Sequence, residues 1–337
     1  MFTRSHAIQI LRIAICLAAL VWVFRGVQIA DLATVYHRTQ APLLLGAIAC
    51  FLLTPFLQAI RLRSLLAARG IPLELAASTR LAFVGNFLNH AAPLGSTAGD
   101  VYKAVVVARR APQSWEAATV VLVDRAIGLV TLLFSVTLIA WVAGHESRLA
   151  ALRGYLGVAS ALLAGGAAVV VLLPHRCWSA LRERTASLRH GDKLERIVRT
   201  TRALLASPGA LLTAVVVTLA IQIAAAASFL CIALSLGFRF GLAEWPSLYA
   251  FFSTGEIVKA LPGPPQGLGT MELAYRHLFA DWAGPLQIVS AALAIRIVGL
   301  LCALPGALLL TAGARRPARE PAPGAAPRMS AVPAAGA

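Results

Sequence analysis

Three acid–base pairs stand inside otherwise apolar sequence: Asp100 with Lys103, Glu256 with Lys259, and Glu272 with Arg276. Spacings of three and four residues put each pair on one face of a helix. Asp124, Arg125 and Arg296 are further charges within long apolar runs. A charge at the centre of a helix in lipid costs about 2.5–3.5 kcal/mol, so such a set requires partners or a wet cavity. Two chemistries fit. The carboxylates can take protons as general bases, and the cations can hold an anion. Gly267 and Gly269 lie ahead of a helix restart near Thr270, and Gly95 to Gly99 lie ahead of another; backbone N–H groups at such restarts attract anions. With Lys103, Arg125, Lys259 and Arg296 nearby, a phosphate is the natural guest. A plainer reading stays open. Asp100, three residues after Thr97, can serve as the acid of a capping box, and Glu272 can complement a helix dipole. Capping accounts for the carboxylates but not for the cations at similar depth.

Other chemistries find no pattern. The seven histidines show no H-E-x-x-H spacing, the five cysteines form no C-x-x-C pair, and there is no G-K-[ST] phosphate loop. Neither a metal nor any other cofactor is expected.

The elements that must position these residues belong to a membrane protein. Apolar residues make up 59% of the chain and charged residues 13%, against about a quarter charged in soluble domains, and the mean hydropathy is +0.77. Spanning helices need roughly 20 apolar residues, and six runs qualify: 8–24, 42–60, 116–143, 152–173, 209–237 and 286–312. The net charge of +16 suggests nucleic acid at first glance, but its distribution excludes that reading. With the N-terminus inside, most cations fall on the inner side: Arg4, the 61–80 segment, Arg109 and Arg110, eight between Arg176 and Arg202, and four in the tail. This positive-inside pattern makes both termini cytoplasmic. The basic 175–207 loop is also a surface for anionic headgroups or a cytoplasmic partner. The Ala/Pro-rich segment 313–337 reads as a disordered tail behind a membrane-embedded unit of residues 1–312.

Two stretches resist the spans. Residues 81–108 are interrupted around Asn89, His90, Pro93, Gly95, Gly99 and Asp100, and residues 246–281 around "LPGPPQGLGT". Each arm is too short to cross alone, so both are expected to be re-entrant helical hairpins meeting at a cavity. The order span, span, hairpin, span then occurs twice, in halves 8–143 and 152–312. Because three crossings is odd, the second half is inverted. "PLGSTAGD" (93–100) and "PQGLGTME" (265–272) share P-x-G with an acid seven residues after the proline. "RAIGL" (125–129) and "RIVGL" (296–300) match at nearly the same offset. Inverted repeats around broken helices are a transporter arrangement, although a fold alone does not fix a function. The expected class is therefore an all-α polytopic membrane protein with six spans, two re-entrant hairpins and an inverted-topology repeat.

"NFLNHAAPLGSTAGDVYKAVVVARR", "VLVDRAIGLV" and "ALPGPPQGLGTMELAYR" resemble the flippase-like membrane family related to the transmembrane region of lysylphosphatidylglycerol synthase. The family's hallmark segments map onto Asn89, Pro93, Gly99, Asp100 and Lys103, then Asp124 and Arg125, then Pro264, Gly267, Gly269 and Glu272. Asp100 stands where Glu is commoner, and Gln266 replaces a glycine. The resemblance implies a protein of the bacterial cytoplasmic membrane that moves a lipid or polyprenyl-linked anionic substrate across the bilayer. With no soluble synthase domain, aminoacyl transfer is not implied. The expected substrate-binding set is Asn89, Asp100, Lys103, Asp124, Arg125, Glu256, Lys259, Gly267, Gly269, Glu272, Arg276 and Arg296. The alternatives are a membrane-embedded transferase with Asp100 or Glu272 as base, and a non-catalytic subunit.

Overall fold

The computed structural model describes residues 40–91, 97–111, 114–142, 147–172, 191–260 and 267–314. The expected span at 8–24, the Pro/Gly tips at 92–96 and 261–266, much of the basic loop and almost all of the tail lie outside them. The described residues form helices and no strand: α1 (Ala41–Ala67), α2 (Leu75–Ala91), α3 (Ala98–Arg110), α4 (Ser114–Val142), α5 (Ser147–Leu172), α6 (Gly191–Leu205), α7 (Pro208–Ser235), α8 (Trp245–Ala260), α9 (Thr270–Leu278) and α10 (Pro285–Ala314).

Among the described residues, five helices are long and apolar enough to cross a membrane: α1, α4, α7, and most of α5 and α10. They coincide with the five apolar runs after the first. Pro208 and Pro285 open α7 and α10 at their first position, where a missing N–H breaks no intrahelical bond. Pro55 is different, because it lies inside α1. It removes the ladder bond to the Phe51 carbonyl, and the Thr54 hydroxyl donates to that oxygen at 2.9 Å instead.

Two boundaries differ from the sequence reading. Hydropathy ends the second run at residue 60 and assigns Arg61 to a cytoplasmic segment. The helix instead continues to Ala67, and Arg61 is buried. Its charge is matched inside the protein, and the turns beyond it bury Leu62, Leu65 and Leu66. The basic loop ends in a helix, α6, which buries Val198 and Leu204 while exposing Arg196 and Arg199.

Each interrupted stretch is a pair of helices running in opposite directions. In the first, Asn89 meets Gly99, and Gly85 lies against Lys103. In the second, Lys259 lies against Gly267, and Gly255 packs on Tyr275. The pairs also pack crosswise. α2 of the first lies on α10, α8 of the second lies on α4, and α1 packs along α7 between them.

The core divides in two. One cluster gathers aromatic residues around Phe229, Phe251, Tyr275, Phe279 and Trp282. The other gathers aliphatic residues around Leu62, Leu65, Leu66, Val120 and Val121. At mid-helix a polar level borders the two clusters, with Thr54 and Gln58 on α1, Asp124 and Arg125 on α4, and Thr218 and Gln222 on α7. That level encloses a cavity.

Candidate functional site

The cavity consists of two adjoining chambers. The first, of about 240 Å³, is lined from α1, α2, α3, α4, α7 and α8, and seven of the twelve expected site residues reach it: Asn89, Asp100, Lys103, Asp124, Arg125, Glu256 and Lys259. The second, of about 200 Å³, adds Leu268, Met271, Ile295, Arg296 and Leu300. Phe51, His90, Glu256 and Lys259 line both. Gly267, Gly269, Glu272 and Arg276 line neither. The first three stand behind the second chamber and shape it.

Asp124 and Arg125 are adjacent on α4, so they point in different directions and find different partners. Asp124 is held by Arg61 in a two-pronged ion pair, Nε to Oδ1 at 2.7 Å and Nη2 to Oδ2 at 3.0 Å. The third prong, Nη1, donates to Thr218 Oγ1 at 2.9 Å. This fork ties α1, α4 and α7 together, and Gly128 leaves room for the guanidinium beside α4. A planar guanidinium with matched acceptors is the form in which a buried cation is best tolerated.

Arg125 points instead to Asp100, with Nη1 3.6 Å from Oδ2. Lys103 Nζ is 3.6 Å from Oδ1 of the same carboxylate. Both separations exceed hydrogen-bond length, and Asp100 Oδ2 is buried without a hydrogen-bond partner among the described residues. Lys103 is itself buried. Its side chain crosses Gly85, where a Cβ would overlap it. Asn89 works on the backbone, its Oδ1 accepting from the Gly99 N–H at 2.7 Å and closing the first helix pair just before Asp100.

In the second pair, Glu256 and Lys259 bond to each other at 2.6 Å on α8. Glu272, four residues before Arg276, bonds elsewhere. Its Oε1 accepts from Arg296 Nε at 2.7 Å, and its Oε2 accepts from the Gly269 N–H at 2.8 Å. Arg296 Nη2 also donates to the Gly267 carbonyl at 3.3 Å. Capping and charge pairing, separate readings of the sequence, are two ends of one carboxylate. The Gly269 N–H expected to face an anion is occupied by that carboxylate. Gly267 and Gly269 have φ of 61° and 84°, a region that glycine enters without steric cost.

Sequence reasoning missed Arg61, Thr218, Gln222 and Gln58. A local signal existed for each. Thr54, Gln58 and Arg61 recur at four and three residues, and Thr218 and Gln222 at four, inside apolar runs. Each set is a polar stripe on one helical face.

Four cations and three carboxylates line the first chamber, an excess of one positive charge between two apolar clusters. Such a chamber can hold an anionic group while matching its own charges locally. The transmembrane region of lysylphosphatidylglycerol synthase, taken as a protein family, matches residues 9–306. The chain belongs to this family. No curated protein matches it. Family membership together with the five long apolar helices makes the chain a multi-pass integral membrane protein.

Proposed function

We propose that the protein is a flippase that carries the charged part of a lipid or polyprenyl-linked anionic substrate across the bacterial cytoplasmic membrane. The observation that carries the reading is the first chamber, with Lys103 and Arg125 at 3.6 Å from Asp100, set against the mid-length of α1, α4 and α7, three helices long enough to span. Long ion pairs open for a guest more readily than short ones. At about 240 Å³ the space is smaller than the ~300–1,000 Å³ of drug-sized ligand sites. It suits a headgroup whose tails stay outside. Crosswise packing of α2 on α10 and of α8 on α4 supports an inverted repeat with two re-entrant hairpins, the arrangement in which a midplane site becomes accessible from either side. A transferase reading with Glu272 as base is disfavoured, because both its oxygens are engaged and it is 1% exposed.

In this reading α6 and the 68–74 connection face the cytoplasm and Arg239 faces outward. Single cysteines at Arg199 and Arg239 in a cysteine-free background test this: an impermeant reagent applied to intact cells should label position 239 only. The transport reading is tested in proteoliposomes carrying a fluorescent phosphatidylglycerol. Wild type should equilibrate the probe between leaflets. Arg125→Gln, which removes a charge-assisted contact, should slow it by about tenfold. Equal rates in protein-free vesicles and wild type would overturn the proposal.

A further inference from the structure

Gln222 is the one described cavity-lining amide that is both buried and half-used. Its residue exposure is 8%. Oε1 accepts from the Tyr249 hydroxyl at 2.5 Å and from the Ser135 hydroxyl at 3.0 Å, so α4 and α8 together fix the side chain. Nε2 is buried and has no hydrogen-bond partner among the described residues, and Gln222 lines the first chamber. Buried polar atoms are nearly always satisfied in folded chains. This one is a rigidly held donor beside the cavity.

The cation nearest it in the chain is already matched. Arg61, which donates to Thr218 one turn away on α7, is paired with Asp124. Ser135 is ten residues along α4 from Arg125, about 15 Å of helix. The lining residues nearest Gln222 in sequence are Ile221 and Ala225, both apolar. A phosphate placed at Gln222 would exchange water for a single neutral amide, whereas at Lys103 and Arg125 it meets full charges. What suits Nε2 is an uncharged oxygen.

We infer that Gln222 is a specificity-determining residue that donates a hydrogen bond to an uncharged acceptor oxygen, a hydroxyl or a carbonyl, carried by the bound amphiphile beyond its phosphate. This rests on the reading of the chamber as a lipid headgroup site and narrows it: a polyprenyl monophosphate, whose oxygens are all on phosphate, leaves the amide unmatched. Two sources supply such an oxygen, a headgroup hydroxyl and an acyl ester carbonyl.

The test is competitive native mass spectrometry of the full chain in detergent. Four probes are compared: dioleoyl phosphatidylglycerol, its dialkyl ether analogue, dioleoyl phosphatidic acid and a polyprenyl monophosphate. Wild type should favour phosphatidylglycerol over polyprenyl monophosphate by roughly three- to tenfold, the range of one hydrogen bond. Retention of the preference by the ether analogue assigns the oxygen to the headgroup, and retention by phosphatidic acid assigns it to the ester. Gln222→Leu should bring the ratio close to one. Gln222→Met, unbranched and of similar length, gives the same readout should the leucine variant fold poorly. A wild-type ratio near one, or variants that keep the wild-type ratio, overturns the inference while leaving the headgroup reading intact. Wild type that binds none of the four probes removes both.

Discussion

In α2/α3, Asp100 opens the second arm with its side chain 17% exposed, two cations at 3.6 Å and one oxygen without a hydrogen-bond partner among the described residues. In α8/α9, Glu272 occupies the matching place after its own P-x-G, and there it is 1% exposed, with oxygens bonded at 2.7 and 2.8 Å. The first carboxylate faces the larger chamber, and the second stands behind the smaller one. One sequence pattern therefore serves two purposes. Asp100 stands 3.6 Å from two cations that line the larger chamber, whereas Glu272 locks one cation and its own helix start. The difference lies in the carboxylate's partners. Glu272 meets a guanidinium and a backbone N–H, one on each oxygen, while Asp100 is shared between a lysine of its own helix and an arginine of α4.

The largest effect that would sharpen this contrast is expected at Glu272. Glu272→Ala removes the carboxylate that both Arg296 and the Gly269 N–H bond, at a cost of about 3–5 kcal/mol. The loss should appear as a large fall in melting temperature in detergent and in folded yield. Glu272→Gln keeps acceptor geometry and should lose less. An alanine variant as stable as wild type would break the comparison.

Next come the glycines. Gly99→Ala drives a Cβ into the Gly85 backbone across the α2/α3 contact, where neither side has a flexible group to move, and should cost about 1–3 kcal/mol. Gly267→Ala meets the Lys259 Cα at 2.9 Å and must hold φ at 61°, at about 1–2 kcal/mol. Thermal shift on the two variants side by side ranks the helix pairs by tightness, and a reversed order would mean that the second pair is the stiffer one.

The smallest stability change is expected at Asp100. Asp100→Asn gives up two long ion pairs beside the buried Lys103 but keeps an amide oxygen as acceptor, so it should cost about 1 kcal/mol, yet alter lipid movement in proteoliposomes more than Glu272→Gln does. A stability loss matching that of Glu272→Ala would erase the distinction between the two carboxylates.

Much of this architecture was legible in the residues. Hydropathy located the five described long helices, because each is an apolar run longer than a bilayer core is thick. The breaks at Pro93–Gly99 and at 261–269 announced paired short arms. What hydropathy misjudged was Arg61, since a window average treats a cation as an end and has no view of Asp124, 63 residues away, which neutralises it. The adjacency of Asp124 and Arg125 carried a usable hint: neighbours on a helix cannot serve each other, so each demanded a partner elsewhere. Gln222 was hidden for another reason. A single amide does not bring a long apolar run below the threshold of a span, and only three-dimensional packing reveals that its Nε2 has no hydrogen-bond partner among the described residues. The amphipathic α6 was masked by its arginines, which read as a solvated loop until Val198 and Leu204 are seen to be buried.

The proline in α1 has a mechanical consequence. A helix resists bending through its regularly spaced cross-ties, and sharp bends gather where one is missing. In α1 the missing tie is the one to Phe51, replaced by the short Thr54 hydroxyl link at 2.9 Å. Phe51 is also a wall of both chambers. The beam is thus notched at the partition, with Ala47 packed in the aromatic cluster on one side and Arg61 clamped to Asp124 on the other. Flexure of α1 is concentrated at the notch, where a small change of angle moves a ring that both compartments share while the two clamped ends stay seated.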